Sequence, residues 1–238
     1  MKTSKLSIVI PAYNEERYLP RLLKSITRQN CPALHEVVVA NAESTDATKM
    51  IAQAFGCKVV LAKKGTPAYA RNAGALAASG DILLFLDADS FLQKNFLNNT
   101  LSEMDRKGFD VAGCYAKAAS RNILDKIIMN WIVNWWYDIF KNIWPNIIGA
   151  YIFARKDAHE RIGGFDEKIT FAEDCAYVNK ANKIGLKYGL LKSSRALISM
   201  RRFEKEGRIR LTLRYAIYTL KRFKGEMTGR VNYNYGEY

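Results

Sequence analysis

The sequence is short of several things, and each shortage narrows the reading. Its four cysteines, Cys31, Cys57, Cys114 and Cys175, are scattered, with no paired or metal-type spacing. Reduced thiols in a cytoplasmic protein are therefore the expectation. No stretch approaches the roughly 20 apolar residues needed to cross a bilayer, so a transmembrane helix is not expected. The opening, from Met1 to Leu6, reaches Pro11 after an apolar run too short for a signal-peptide core. The turn that follows, Pro11-Ala12-Tyr13-Asn14-Glu15, contains no glycine. A dinucleotide-binding turn needs Gly-x-Gly-x-x-Gly here so that backbone can approach a pyrophosphate. An oxidoreductase of that kind is excluded. There is no internal repeat and no low-complexity linker.

What is present is an ordinary globular composition with an unusual charge. The 238 residues are 49% hydrophobic and 25% charged, enough for the core of one large α/β domain. Against 23 Asp+Glu stand 37 Lys+Arg, a formal net charge of +14, which favours an anionic partner. No nucleic-acid motif accompanies that charge. A phosphorylated substrate or an acidic membrane surface is the better match, and no nucleic acid is expected.

Apolar runs alternate with helical patterns. Leu6 to Pro11, Glu36 to Ala40, Lys58 to Leu61 and Ile82 to Leu86 read as strands. Asn14 to Gln29, with Glu15 and Glu16 in its first turn, reads as a helix. So do the stretch from the Ser44-Thr45-Asp46 cap to Phe55 and the alanine-rich run from Pro67 to Ala78. This β-α-β-α-β-α-β series implies a mostly parallel twisted sheet covered by helices on both faces.

The fourth strand carries the chemistry. Ile82 to Leu86 is continuously apolar, as a fully buried strand is, and Asp87-Ala88-Asp89 follows it. Open α/β sheets bind ligands at the carboxyl ends of their strands. Side chains at i and i+2 of an extended chain point the same way, so Asp87 and Asp89 can converge on one Mg²⁺ or Mn²⁺. The plainer alternative is a polar turn, where Asp is common.

Several motifs now fall in order: Ile8-Val9-Ile10-Pro11-Ala12-Tyr13-Asn14-Glu15, Asn41-Ala42-Glu43-Ser44-Thr45-Asp46, Ala70-Arg71-Asn72-Ala73-Gly74, and Phe85-Leu86-Asp87-Ala88-Asp89. Gly163-Gly164-Phe165-Asp166-Glu167 and Glu173-Asp174 complete them. Together, from about residue 6 to residue 190, they resemble the successive motifs of family-2 glycosyltransferases. The resemblance implies a GT-A domain over 1–205, with a nucleotide-binding half at about 1–115 and an acceptor half at about 116–205. It implies an inverting transferase of the hexosyl type. One sugar would move from a nucleotide-diphosphate donor to an acceptor hydroxyl, lipid-linked acceptors included, with a divalent metal (Mn or Mg). The alternatives are transfer to a polyprenyl or dolichyl phosphate, and a catalytically silent nucleotide-sugar-binding protein.

Residue by residue, the resemblance assigns Pro11, Ala12, Tyr13 and Glu15 to the base and ribose. Asn41 stands where the family usually has an aspartate. It keeps a carbonyl acceptor but adds an NH₂ donor, which counts against the usual uracil contact; the resemblance still favours UDP over GDP. Arg71 would approach the nucleotide or its phosphates. Asp87 and Ala88 would face the ribose, and Asp87 and Asp89 the metal. Asp174 aligns with the catalytic base, and Glu173 beside it would raise its basicity by like-charge repulsion. The Gln-x-x-Arg-Trp motif of the family's processive synthases is missing. Instead Arg201 and Arg202 follow the last expected strand, where either guanidinium can reach a diphosphate or face solvent in a basic turn.

Two further stretches stand out. All four tryptophans, Trp131, Trp135, Trp136 and Trp144, lie between Asn122 and Ala154. The tail from Arg208 to Lys224 sets Ile209, Leu213, Ala216, Ile217, Leu220 and Phe223 on one stripe among Arg and Lys. Both read as interfacial, which favours peripheral contact with an anionic, cytoplasmic membrane face. The competing reading makes them core and cover helices. The end of the chain, 232–238, is expected to be disordered.

Overall fold

A central parallel strand has no face left for water, and β1 (Leu6–Ala12) is buried at every position but Pro11. The computed structural model describes residues 4–140, 145–147 and 151–223, without the side chains of 202 and 218–223. After β1 come α1 (Leu19–Thr27), β2 (Leu34–Asn41), α2 (Thr48–Ala54), β3 (Lys58–Leu61), α3 (Pro67–Ala77), β4 (Ile82–Phe85) and α4 (Phe96–Lys107). The second half continues with β5 (Val111–Ala118), α5 (Ile123–Lys126), a π-helical segment (Ile127–Val133) and α6 (Asn134–Phe140). It ends with β6 (Ile152–Arg155), α7 (Lys156–Ile162), α8 (Glu173–Lys183), β7 (Tyr188–Ile198), α9 (Arg201–Glu206) and α10 (Arg208–Phe223). Trp144 and the end of the chain, 224–238, lie outside the described residues. No described helix is long and apolar enough to cross a membrane.

The sheet runs in the order β3-β2-β1-β4-β6-β5-β7. Only β6 is antiparallel to its neighbours, β4 and β5. The expected mostly parallel α/β sheet with helices on both faces is what forms. Alternation along β1 divides the core. Leu6, Ile8 and Ile10 pack with Leu22 and Ile26 of α1 and Phe96 and Leu97 of α4. Val9, pointing the other way, joins Ala75 of α3, Ile162 of α7 and Tyr177 of α8. The chain turns outward from β1 to build one side and, by way of β4, the other, so strand order reverses between β1 and β4. Such a switch point leaves a crevice at the strands' carboxyl ends.

One expected boundary is wrong. The first helix starts at Leu19 rather than Asn14, so Glu15 and Glu16 are not in its first turn. Pro20 suits a first helical turn, and Asn14 has a left-handed φ of 52° that no helix accepts. Residues 13–18 form a turn held against the β2–α2 loop instead. The backbone N–H groups of Asn14, Glu15 and Glu16 donate to Ser44 Oγ, Thr48 Oγ1 and Asp46 Oδ2 at 3.0, 2.8 and 3.0 Å.

The alanine-rich α3 lies close to the sheet because Gly74 has no side chain: a β-carbon there would meet Val9 Cγ1 at 2.4 Å. On the same side His159 is buried, its Nδ1 2.9 Å from Tyr177 Oη. Burial, helped by Lys156, pushes its imidazole down to about 4.

Gly74→Ala should overpack this contact and cost about 1–3 kcal/mol in urea unfolding. For His159 the unfolded chain binds the proton more readily than the native state. The stability its neutral form contributes is therefore complete above about pH 6.5 and is lost as pH falls toward about 4, up to about 3 kcal/mol. His159→Asn, which keeps a polar atom near Tyr177, should remove that slope when wild-type and variant unfolding are compared across pH 4–7.

Candidate active site

The carboxyl ends of β1, β2 and β4 bring the expected residues together. Pro11 and Ala12 close β1, Asn41 closes β2, and Asp87 to Asp89 leave β4. Asn41 is buried, and its Oδ1 accepts the Ser44 N–H at 3.3 Å, holding the β2–α2 loop. Tyr13 packs with Ala40 and Ala42 under the Lys64 ammonium, 4.8 Å from its ring centroid.

At the centre lies Arg71, 2% exposed on α3. Its Nη2 donates to Asp87 Oδ1 at 2.9 Å and its Nη1 to Glu173 Oε1, while the guanidinium lies over the Phe165 ring. Burial works against that charge, but Asp87, Glu173 and Asp174 outweigh it and hold the guanidinium above its ordinary pKa. Glu173 is thus engaged by a cation. The same guanidinium also attracts Asp174.

A second arginine sits on the other carboxylate. Arg201 Nε lies 3.2 Å from Asp89 Oδ2, and Nη2 lies 3.4 Å from Glu15 Oε1, with the group stacked over Tyr18. Burial raises the Asp89 pKa, opposed by Arg201 and reinforced by Asp87. Burial likewise pushes Glu15 up to about 7, against Arg201 and with the help of Asp89 and Asp87. Glu15 Oε2 and Arg201 Nη1 are buried with no hydrogen-bond partner among the described residues. One acceptor and one donor therefore stay available for a ligand. The backbone of Arg202 continues α9; its side chain lies outside the described ones.

Asp174 opens α8 with Glu173, as the sequence predicts. It is 7% exposed, and its Oδ1 accepts the N–H of Cys175 at 2.7 Å. The residue before the pair, Ala172, has a left-handed φ of 58°. Such strain in a non-glycine residue persists where surrounding contacts impose it. Sequence reasoning passed over Asn72, next to Arg71. Its side chain both accepts the Phe165 N–H and donates to the Phe165 carbonyl, at 2.8 and 2.9 Å, tying the Gly163-Gly164-Phe165 turn to α3. The signal was an amide in the same short motif as Arg71; its partner is 93 residues away.

Asp87 and Asp89 offer a cation two carboxylates and no sulfur or imidazole, a donor set suited to a hard, oxygen-liganded ion. Among the described residues no group of three or more His, Cys, Asp or Glu converges. The remaining ligands would have to come from water or substrate.

Known proteins share this architecture. TarS of Staphylococcus aureus, a poly(ribitol-phosphate) beta-N-acetylglucosaminyltransferase, is 33% identical over 114 residues, covering 45% of this chain and 20% of TarS. The crystal structure of TarS 1-349 superposes with a TM-score of 0.64 at 25% identity, over 81% of this chain and 59% of that one. A Pyrobaculum calidifontis mannosyltransferase, PcManGT, solved with GDP-Man and Mn²⁺, has a TM-score of 0.69 at 21% identity, over 83% of this chain and 57% of that one. The chain thus spans about a fifth of its curated relative. The profile of Glycosyl transferase family 2 matches residues 7–162, from the first strand through the carboxylate pair to α7. With that match laid over the same sheet and the same motifs, the chain belongs to glycosyl transferase family 2.

Proposed function

We propose that the protein transfers a single sugar from a nucleotide diphosphate to an acceptor hydroxyl, with inversion at the anomeric carbon. The observation that carries this reading is the Arg71 fork. It joins Asp87, at the end of the donor-side strand, to Glu173, beside Asp174. The carboxylate pair and the candidate base are thereby set around one buried point. The nucleotide-binding half is read as about 1–115 and the acceptor half as about 116–205.

Pro11, Ala12, Tyr13 and Asn41 flank the base and ribose in this reading. Glu15 Oε2, without a partner among the described residues, suits a ribose hydroxyl. Arg201 Nη1, likewise without one, suits a diphosphate oxygen. Asp87 and Asp89 would hold Mn²⁺ or Mg²⁺, which when bound offsets the negative charge of a departing diphosphate. UDP is preferred as the donor nucleotide: TarS, the relative of highest identity described above, has been crystallised with UDP-GlcNAc. In the reaction the acceptor oxygen bonds to the anomeric carbon as the bond from that carbon to the diphosphate oxygen breaks. Asp174 takes the hydroxyl proton. Peripheral contact with an anionic membrane would bring a lipid-linked acceptor to the second half.

Two substitutions separate the parts. Asp89→Asn should weaken Mn²⁺-dependent UDP binding by roughly tenfold or more in calorimetry, with the unfolding temperature little changed. Unaltered affinity in Mn²⁺ would remove Asp89 from the metal site. Asp174→Asn keeps the side chain's size and removes its basicity. Turnover at saturating acceptor should fall by roughly a hundredfold or more, with donor affinity retained. Near-normal turnover would point instead to an acceptor already ionised, such as a polyprenyl phosphate.

A further inference from the structure

The helical run 123–140 is amphipathic in the wrong sense for a protein surrounded by water. Its asparagines face the protein. Among the described residues β6 pairs with β5 at Val111 and Ala112, and beyond them side chains meet the edge of β5. Asn134 covers it by accepting the Ala116 N–H at 2.8 Å and donating to the Ala116 carbonyl at 2.9 Å. Asn130 Oδ1 accepts the Ala118 N–H at 3.2 Å. Met129 and Tyr137 are buried on the same side as these amides, and a second set of apolar side chains is turned out.

Ile123, Ile127, Trp131, Trp135 and Ile139 recur every fourth residue, and all are exposed. Trp131 is 74% and Trp135 64% exposed. On a regular α-helix a four-residue repeat drifts by about 40° each step. The π segment Ile127–Val133 winds more loosely and takes part of that drift back, so the stripe stays on one side. α10 abuts this run, because Arg208 Nε donates to the buried Asp125 of α5 at 2.7 Å. α10 turns Leu211 and Tyr215 inward, Tyr215 stacking on Phe171 just ahead of Glu173-Asp174. It leaves Ile209, Leu213 and Ile217 exposed. Of the stripe foreseen in the tail, Ile209, Leu213, Ala216 and Ile217 are exposed, and the side chains of Leu220 and Phe223 lie outside the described ones.

We infer that these two neighbouring apolar faces dock on the interface of an anionic membrane, with the acceptor side of the site beside it. This gives the membrane part of the proposed function a surface, and it is testable without any transfer. Tryptophan is the side chain suited to the headgroup level, apolar in body with one polar edge. Arg121, Lys126 and Arg210 are exposed beside these faces, and the whole chain carries +14. Positive charge complements anionic headgroups. It opposes a second copy of the same chain, which would set +14 against +14.

The test is co-sedimentation of the full chain with phosphatidylcholine vesicles containing about a third phosphatidylglycerol, at low and high salt. Tryptophan emission is read in parallel. The wild type should sediment and shift its emission to the blue, and high salt should release it. Trp131→Ser with Trp135→Ser should reduce binding by roughly tenfold or more, as should Ile209→Ser with Leu213→Ser. UDP affinity should stay at the wild-type value in both, so that loss of membrane binding is read apart from loss of the transferase site. Absence of sedimentation at low salt would overturn the inference. So would emission already blue-shifted and quencher-protected without vesicles, the mark of a face covered by the chain itself or by a second copy. Equal binding by wild type and both variants would also overturn it.

Discussion

The structure turns on one buried charge. Arg71 could not be sealed under the sheet's carboxyl edge alone, because an unpaired buried cation costs several kcal/mol. It is tolerated because Asp87 and Glu173 take two of its nitrogens. Those partners come from chain segments 16 and 102 residues away. The pairing therefore does more than neutralise: α8 must start where β4 ends. A lysine would carry the charge but not the planar fork that spans both carboxylates. Gly74 lets α3 lie against Val9, and so sets how deep Arg71 sits.

Around that point the charges are deliberately unbalanced. Glu15, Asp87, Asp89, Glu173 and Asp174 face the guanidiniums of Arg71 and Arg201. An excess of carboxyl groups is hard to bury, which is why Glu15 and Asp89 both hold their protons more tightly than usual. The chain as a whole is strongly basic and gains from an anionic partner.

The same economy of polar groups shapes the second half. An antiparallel β6 of four residues is too short to cover β5, so side-chain amides complete the ladder. One apolar stripe of the helical run is thereby left outside, and Trp131 and Trp135 reach the surface. Backbone hydrogen bonding here overrides the usual placement of apolar residues.

What the sequence determined by itself was everything that depends on neighbours in the chain. The first four strands could be read from unbroken apolar runs, and α3 from its alanines. The turn without glycine ruled out one class of cofactor, and Asp87 and Asp89 could be placed at a strand end. The Glu173-Asp174 pair could likewise be placed in the first turn of α8. The early start assigned to α1 failed because acidic residues at 15 and 16 look like a helix opening, whereas Ser44, Asp46 and Thr48 hold that backbone in a turn. Only the tertiary structure decided that Arg71 joins Asp87 to Glu173. It alone also set Arg201 on Asp89, Asn72 on the Phe165 turn and β6 antiparallel between β4 and β5. Each of these is a pairing of polar groups across tens of residues. Local propensity carries no record of such a partner, because its energy arises only when burial removes water from both sides.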